Sequence, residues 1–306
     1  MRAVNTAASA LALATLAACA SPTVSEDPTT VQVTSTHERL VELPAAESQP
    51  VAAVYRYPDR TGKHKPNDKF ASYSRAVTQG ASSILVKALH DAGGGKWFDV
   101  VPRRNFQDIQ TERKIIQKVL NKNLDGNRKA VLPDLKYAGV VFEGGVIGFD
   151  ANTMTGGIGA RFLGIGGDTE YRKDTVTVYL RATSTETGEL LHSVQARKTI
   201  FSYALNASVF KFISYKELLE AEAGITNNEP SMLALRQAIE EAVYAMIVEG
   251  AKRGYWSFDS QQAQERVIQA YEKRKSRERE RAERLLAKDA RGDESDPSEA
   301  DPRSDI

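Results

Sequence analysis

Residues 153–173 have the sequence TMTGGIGARFLGIGGDTEYRK, in which polar and apolar side chains alternate. Up to position 162, the even-numbered residues are apolar or glycine, and the odd-numbered ones are threonine, glycine or arginine. After a glycine-rich turn the alternation resumes, with Asp168, Glu170 and Arg172 on one face. Successive side chains of a β-strand point to opposite faces. The pattern therefore predicts a β-hairpin over about 154–173, with one apolar and one polar face.

A second pair of alternating segments lies downstream. Apolar residues occupy every second position from Phe201 to Val209 and again from Leu219 to Ile225. These segments predict a second hairpin over about 201–228. The charged residues on the polar faces of the two hairpins are Arg161, Asp168, Glu170, Arg172, Glu220 and Glu222.

Two structures fit this alternation. One is a soluble antiparallel sheet with one face in water. The other is a set of membrane-spanning strands, which are about ten residues long and have one face toward lipid. In lipid only a closed barrel pairs every backbone group, and even small barrels need about eight strands. Four strands from one chain would then require several chains to share one barrel, with the charged residues facing a water-filled lumen.

The N-terminus predicts export and lipid attachment. Met1-Arg2 precedes an uncharged stretch rich in Ala and Leu, which is typical of a signal peptide over 1–18. The stretch ends in Leu16-Ala17-Ala18-Cys19, the order of a bacterial lipobox, and Cys19 is the sole cysteine. An ordinary signal peptide with an incidental cysteine is the alternative. A diacylglycerol and an N-acyl chain on Cys19 would anchor the protein stably. Ala20, in place of Asp, favours the outer membrane.

The rest of the chain divides by composition. Residues 19–50 are rich in Ser, Thr, Pro and Glu without an apolar period, which predicts a lipidated tether. Residues 51–260 predict a mixed α/β domain that carries the two hairpins. Its expected strands are Val51–Tyr57, Trp97–Val101 and Tyr137–Phe149, and its expected helices are Gln79–Ala92, Asn105–Asn121 and one that starts after Asn228. The apolar face of the second helix comprises Phe106, Ile109, Ile116 and Leu120, and the buried stripe of the third comprises Met232, Leu235, Ile239, Val243 and Met246.

The C-terminal residues 261–306 are strongly charged. Residues 261–288 predict a solvated helix with pairs of opposite charge four residues apart. The segment after Arg291 predicts disorder.

Several function classes are disfavoured. With 41 Lys+Arg against 40 Asp+Glu, the chain lacks the basic excess of a nucleic-acid binder. Gly93-Gly94-Gly95-Lys96 lacks the rest of a phosphate-binding loop, and the four histidines do not pair at metal-ligand spacing. No catalytic constellation is present, so we expect no enzyme, no metal and no cofactor beyond the acyl chains on Cys19.

The chain resembles the CsgG family of curli assembly and transport components. The resemblance covers about residues 16–260 and is densest in the GGIGARFLGIGGDTEY stretch within Phe149–Tyr171. Further matching segments are the lipobox, VTQGASSILVKAL at 77–89, ERKII at 112–116, VFKFI at 209–213 and Asn228-Glu229-Pro230.

The resemblance implies a homo-nonameric outer-membrane channel. Two hairpins from each subunit would build a 36-stranded barrel, with the α/β domain in the periplasm. The implied cargo is unfolded curli subunits, which cross by diffusion without a nucleotide. The implied partners are periplasmic and extracellular curli accessory proteins. The alternative is a periplasmic lipoprotein that acts as a binding or assembly factor and never inserts.

The resemblance also implies a pore constriction in the loop 66–77 (PNDKFASYSRAV). Tyr73 and Phe70 take the aromatic positions of that constriction, and Ser72 takes its polar position. Rings of aromatic side chains would narrow the lumen, while the polar ring would keep it wet. Packing of Phe70 or Tyr73 in the domain core is the structural alternative.

Overall fold

The computed structural model describes residues 33–62, 80–122, 131–155, 170–206, 209–213 and 230–290, and a compact unit begins at Thr34. The described helices are α1 (Ser35–Val41), α2 (Ala81–Asp91), α3 (Phe106–Lys122), α4 (Pro230–Lys252) and α5 (Gln261–Ala290). The described strands are β1 (Val51–Val54), β2 (Asp99–Pro102), β3 (Val140–Thr155), β4 (Glu170–Ser184), β5 (Leu190–Asn206) and β6 (Val209–Ile213).

The strands form one mixed six-stranded sheet in the order β2-β1-β3-β4-β5-β6. β1 is parallel to both neighbours, with Ala53 opposite Val101 of β2 and Val141 of β3. The later pairs are antiparallel. Parallel neighbours need a long crossover, and α2 and α3 lie in the crossovers from β1 to β2 and from β2 to β3. This arrangement confirms the predicted mixed α/β fold.

One face of the sheet carries the core, and α4 covers much of it. Leu235, Ile239, Val243 and Met246 are completely buried, as their helical spacing predicts. Met232, which the same pattern includes, is 45% exposed, so the buried stripe begins one turn later than predicted. The stripe packs over β4 and β5 because these strands turn Val176, Val178, Leu180, Val194 and Ala196 toward it.

Aromatic side chains close the core near β2 and the α4–α5 connection. Trp97 meets Phe258 edge-on, with ring centroids 4.8 Å apart, and Phe98 meets Trp256 at 6.0 Å. Both indole N–H groups are satisfied: Trp97 donates to the Pro44 carbonyl at 2.8 Å, and Trp256 donates to the Ile247 carbonyl at 2.7 Å. Buried Trp side chains of this kind combine a large apolar contact with a paired polar atom.

The predicted tether is too long at its C-terminal end. Thr34 caps α1, and Leu40 and Leu43 are buried in the core, so residues 34–50 belong to the domain. Thr34 and Thr36 each donate a hydrogen bond of 2.6 Å to the carboxylate of Glu240 in α4. Leu40 and Leu43 are the only large apolar side chains buried in this segment, which is why its composition alone indicated a linker.

We predict that Gly250→Ala destabilises the domain. A Cβ at Gly250 would lie 2.1 Å from Cζ2 of Trp256, so the indole would have to leave its place in the core. Overpacking of this kind lowers the free energy of unfolding by about 1–3 kcal/mol. Urea unfolding followed by tryptophan fluorescence measures the effect.

Gly139→Ala is the matched control, because a Cβ there meets no atom within 4 Å. Equal stability of the two variants would contradict the packing described for Trp256.

Candidate assembly surface and hairpin bases

The base of the first predicted hairpin is a continuous antiparallel pair. The register of β3 and β4 runs from Val140↔Ser184 to Thr155↔Glu170, with one irregularity between Val146 and Gly148. The two strands therefore remain paired up to the point where the predicted hairpin begins. Residues 156–169 lie outside the described part of the chain.

The second pair of strands differs from the prediction. A single strand was expected from Phe201 to Val209, but β5 ends at Asn206 and β6 starts at Val209. The two strands pair antiparallel, with Phe201 opposite Ile213. In the sequence, apolar residues occupy every second position from Phe201 to Val209, so alternation alone does not mark the end of β5.

Most of the predicted site residues lie outside the described residues: Cys19, Phe70, Ser72, Tyr73, Arg161, Asp168, Glu220 and Glu222. The two exceptions, Glu170 and Arg172, lie on β4 opposite Thr155 and Thr153 of β3. Their roles, like those of the other eight, stay predictions.

The helix α3 presents an uncovered apolar face. The sequence predicted one apolar face that includes Ile109, Ile116 and Leu120, and α3 contains no buried residue. Its exposed apolar side chains are Ile109, Ile115, Ile116, Val119 and Leu120. The predicted amphipathic helix is confirmed, and the described part of the chain leaves its apolar face exposed.

The segment 131–137, which leads from α3 toward β3, adds further apolar side chains beside the helix. Val131 is 90% exposed and Tyr137 is 76% exposed. The segment is held in place because Arg113 of α3 donates to the Pro133 carbonyl at 2.6 Å, and Arg103 donates to the Lys136 carbonyl at 2.6 Å.

We call this region the α3 apolar surface: Ile109, Ile115, Ile116, Val119, Leu120, Val131, Leu135 and Tyr137. It holds eight of the fourteen large apolar side chains that are exposed among the described residues. Single exposed apolar side chains are ordinary, but a concentration of them marks an interaction surface. The polar contacts of Arg113 and Arg103 fix its shape in the isolated chain.

A polar cluster around Glu249 docks α5 on α4 and β5. The Glu249 carboxylate accepts hydrogen bonds from the Tyr271 hydroxyl at 2.5 Å and from Lys275 Nζ at 3.0 Å. Its other oxygen lies 2.8 Å from Nε2 of His192. Burial by itself would raise the pKa of Glu249, but these hydrogen bonds outweigh it and lower the pKa to about 2. Burial and the adjacent carboxylate raise the pKa of Tyr271.

A second carboxylate of α4 binds both ends of the domain. Glu241 accepts from Arg39 of α1 at 2.9 Å and forms an ion pair with Arg274 of α5. The Arg274 guanidinium also lies over the Tyr244 ring, 5.0 Å from its centroid. The predicted solvation of α5 is therefore wrong for its first half, although the helix itself is confirmed.

Other kinds of site are missing from the described residues. They contain no group of three or more His, Cys, Asp or Glu side chains that would hold a metal ion. No described helix is long and apolar enough to cross a membrane.

Comparison with known proteins identifies the family. Residues 33–276 match the family model described as curli production assembly/transport component CsgG. This chain belongs to the CsgG family. The match starts just before α1 and ends inside α5, so it includes the α3 apolar surface and the Glu249 cluster.

Curated relatives agree with the CsgG assignment. The curli production assembly/transport component CsgG of Escherichia coli K12 is 40% identical over 242 residues, covering 79% of this chain and 86% of that protein. The protein of the same name from Citrobacter koseri is 40% identical over 253 residues, covering 82% of this chain and 90% of that protein. CsgG is a family of transport and assembly components, not a known enzyme family.

Solved structures give weaker likenesses. The PelC dodecamer from Paraburkholderia phytofirmans has a TM-score of 0.25 at 14% identity, covering 65% of this chain and 89% of that chain. A Xanthomonas campestris protein of the DUF330 family has a TM-score of 0.33 at 11% identity, covering 69% of this chain and 91% of that chain. Both TM-scores are too low to support an argument about this chain.

We predict that Glu249→Gln loosens α5 from α4 at neutral pH. The substitution removes the charge that strengthens the bonds from Tyr271 and Lys275, and hydrogen bonds to charged groups contribute about 1.5–3 kcal/mol each. Because the pKa of Glu249 is lowered from 4.5 to about 2, its contribution is present above pH 4.5 and is lost as the pH falls toward 2. Hydrogen exchange of the α5 amides, measured across this pH range, follows the loss.

Glu272→Gln is the control, because the Lys252–Glu272 pair is exposed to solvent and such pairs contribute little. A difference between wild type and Glu249→Gln that persists unchanged at pH 2 would contradict the assigned contacts.

Proposed function

We propose that this chain is the subunit of an oligomeric outer-membrane channel that exports unfolded curli subunits by diffusion without a nucleotide. Membership of the CsgG family, whose curated members are named as curli assembly and transport components, supports curli transport. The channel mechanism goes further than the family name and depends on the geometry of the strands.

The observation that carries the proposal is the long antiparallel pair of β3 and β4. Its register holds up to Thr155↔Glu170, where the segment with alternating apolar and polar residues begins. A pair of this kind supports a hairpin that continues from the sheet into the membrane. Because two strands in lipid would leave backbone groups unpaired at both edges, such a hairpin requires neighbours that close a barrel.

The α3 apolar surface supports assembly from several copies. A soluble domain that displays this many apolar side chains on one helix and the adjoining segment needs a partner to cover them. A nonamer with two hairpins from each subunit would give a 36-stranded barrel. In this assembly the charged residues of the hairpins, including Glu170 and Arg172, would face the lumen.

The remaining parts of the proposal rest on sequence. Acylation of Cys19 would anchor each subunit, and the α/β domain of residues 51–260, apart from its two hairpins, would lie in the periplasm. Phe70, Ser72 and Tyr73 would form the constriction through which the cargo passes. Periplasmic and extracellular curli accessory proteins would contact the two ends of the channel.

We predict that Ile116→Lys disrupts the oligomer. Ile116 lies at the centre of the apolar face of α3, and burial of an Ile side chain contributes about 1.5–3 kcal/mol to a contact. Burial of an unpaired ammonium adds a further cost. Native mass spectrometry and sedimentation velocity of the detergent-purified protein should show smaller species.

Gln107→Lys is the control, because Gln107 is exposed on the opposite side of the same helix. An intact oligomer of Ile116→Lys would show that other surfaces hold the subunits together.

We predict that Tyr73→Ala raises the conductance of the reconstituted oligomer in a planar bilayer. Removing one aromatic ring per subunit would widen the narrowest part of the lumen. Tyr255→Ala is the control, because this exposed tyrosine lies between α4 and α5. A widened pore in Tyr73→Ala alone supports the constriction. Well-formed oligomers without any conductance would favour the periplasmic lipoprotein that does not insert.

A further inference from the structure

The exposed side of α3 carries charges of opposite sign at its two ends. Asp108, Glu112, Ile115, Val119 and Lys122 are spaced by four, three, four and three residues, which places them on one face of the helix. All five are exposed, and Ile115 and Val119 are the most exposed of the large apolar side chains of α3. This face is therefore acidic in its first half, apolar in the middle and basic at its end. We call these five residues the α3 stripe.

The α3 stripe faces away from its own chain. Arg113, which donates to the Pro133 carbonyl, lies about 140° around the helix from the centre of the stripe. Segment 131–137 therefore contacts the other side of the helix. Lys118 is also exposed and lies about 40° from Lys122, so it adds a second positive charge to the basic end. The stripe is accessible to a second molecule.

The turn between β4 and β5 and the strand ends beside it carry charges in the opposite order. Arg181 is exposed on the face of β4 that points away from the core, and its guanidinium lies 5.0 Å from the centroid of the Tyr179 ring. Leu190 is 51% exposed and pairs with the residue two positions after Arg181, so it shares that face. Glu186 and Glu189 are exposed in the turn. We call Arg181, Leu190, Glu186 and Glu189 the β4–β5 patch, which is basic, then apolar, then acidic.

The stripe and the patch have similar heights on the sheet, similar lengths and the same direction. Pro102, at the end of β2, is level with Phe142 of β3, and Arg181 pairs with the residue after Phe142. The helix α3 begins four residues after Pro102, so its acidic end lies near the height of Arg181. It connects two parallel strands and so runs opposite to them, as β4 does. From there the stripe extends about 21 Å to Lys122, and the patch extends at most about 17 Å to Glu186.

One chain cannot bring its own stripe and patch together. Lys136, in the segment beside α3, pairs with Asp99 of β2, so α3 lies at the β2 edge of the sheet. The register of β5 with β6 begins at Phe201, so the β4–β5 turn lies near the other edge. Four strand spacings, about 19 Å, separate β2 from β5. The stripe of one copy can therefore meet only the patch of another copy.

We propose that the α3 stripe of one subunit binds the β4–β5 patch of the next subunit around the oligomer. This inference rests on the proposed function, which supplies an assembly whose subunits all point the same way along one axis. Rotation about that axis brings the acidic end of the stripe to Arg181, its apolar middle to Leu190 and its basic end to the turn. A twofold axis across the strands would reverse one copy and set like charges against each other. The order of charges therefore favours a head-to-tail contact, which is the kind that generates rings.

Crosslinking of the detergent-purified full-length oligomer with a short bis-maleimide tests this contact. Cys19 is the sole native cysteine, so wild type shows any product that Cys19 forms. We expect Ile115→Cys/Leu190→Cys to give a ladder of covalent multimers, because each subunit would be linked to two neighbours. Gln110→Cys/Leu190→Cys is the matched control, since Gln110 is exposed on the side of α3 away from the stripe. Dimers from Ile115→Cys alone would show that two copies of α3 meet, and would overturn the head-to-tail contact.

Charge reversal tests which ends meet. Lys118→Glu/Lys122→Glu sets like charges against Glu186 and Glu189, and like charges across an interface oppose binding strongly. The protein concentration at which half of the subunits are assembled, measured by sedimentation velocity, should rise at least about tenfold. Adding Glu186→Lys/Glu189→Lys to the same chain should restore assembly.

Lys96→Glu/Lys114→Glu is the matched control, because both lysines are exposed off the stripe and the net charge changes equally. Circular dichroism verifies that each variant keeps its secondary structure. Loss of assembly that the second pair of substitutions does not restore would assign the basic end of the stripe to another surface and overturn the proposed pairing.

Bilayer conductance of the same preparations separates this inference from the proposed function. Conducting oligomers that give no ladder, or that charge reversal leaves unchanged, overturn the contact and leave the channel intact. A ladder from oligomers that do not conduct supports the contact and counts against the channel. Wild-type protein that stays monomeric in detergent overturns both.

Discussion

The carboxylates of α4 hold the two ends of the domain to its centre. Glu240 accepts hydrogen bonds from Thr34 and Thr36, and Glu249 accepts them from Tyr271 and Lys275. Glu240 is almost completely buried, so the loss of its donors would leave an unpaired charge in the core. The apolar stripe of α4 fixes this helix on the sheet, and its acidic side chains then determine where α1 and α5 lie. The first and last helices are therefore structural parts of the domain.

The sequence predicts the elements that show a regular period, and it misses the segment that is held by distant contacts to α4. The stripe of α4 was predictable because it shows a regular period, and a period reports which face is buried. Alternation likewise indicated the ends of β3 and β4 near 154–155 and 170–173, but no prediction covered β4 beyond residue 173. The segment that contains α1 shows no regular apolar period. It is held by hydrogen bonds between threonines and a glutamate 206 and 204 positions away, and a local pattern contains no information about such a partner. The constriction and lipidation residues, which depend on the family resemblance, stay predictions.

The periodicity of a helix also does not show which part of the protein packs against its apolar or charged face. The apolar side of α3 was correctly predicted, but Ile116 and its neighbours have no cover within the described chain. The reverse occurred in α5, where the charged composition indicated a solvated helix although Lys275 and Arg274 bind half-buried carboxylates. In both helices the sequence defines an amphipathic pattern, and the tertiary or quaternary structure decides which side is covered.

The same reasoning bears on how a channel of this design would assemble. A single chain that inserted two hairpins into lipid would expose unpaired N–H and C=O groups at their edges, at a cost of several kcal/mol for each group. The α3 apolar surface lies on the water-exposed domain, so its burial between subunits is favourable before any strand enters lipid. Contacts through α3 would then bring hairpins of adjacent subunits together, and the strands would find their pairing partners as they insert. Assembly in the periplasm would in this way precede closure of the barrel.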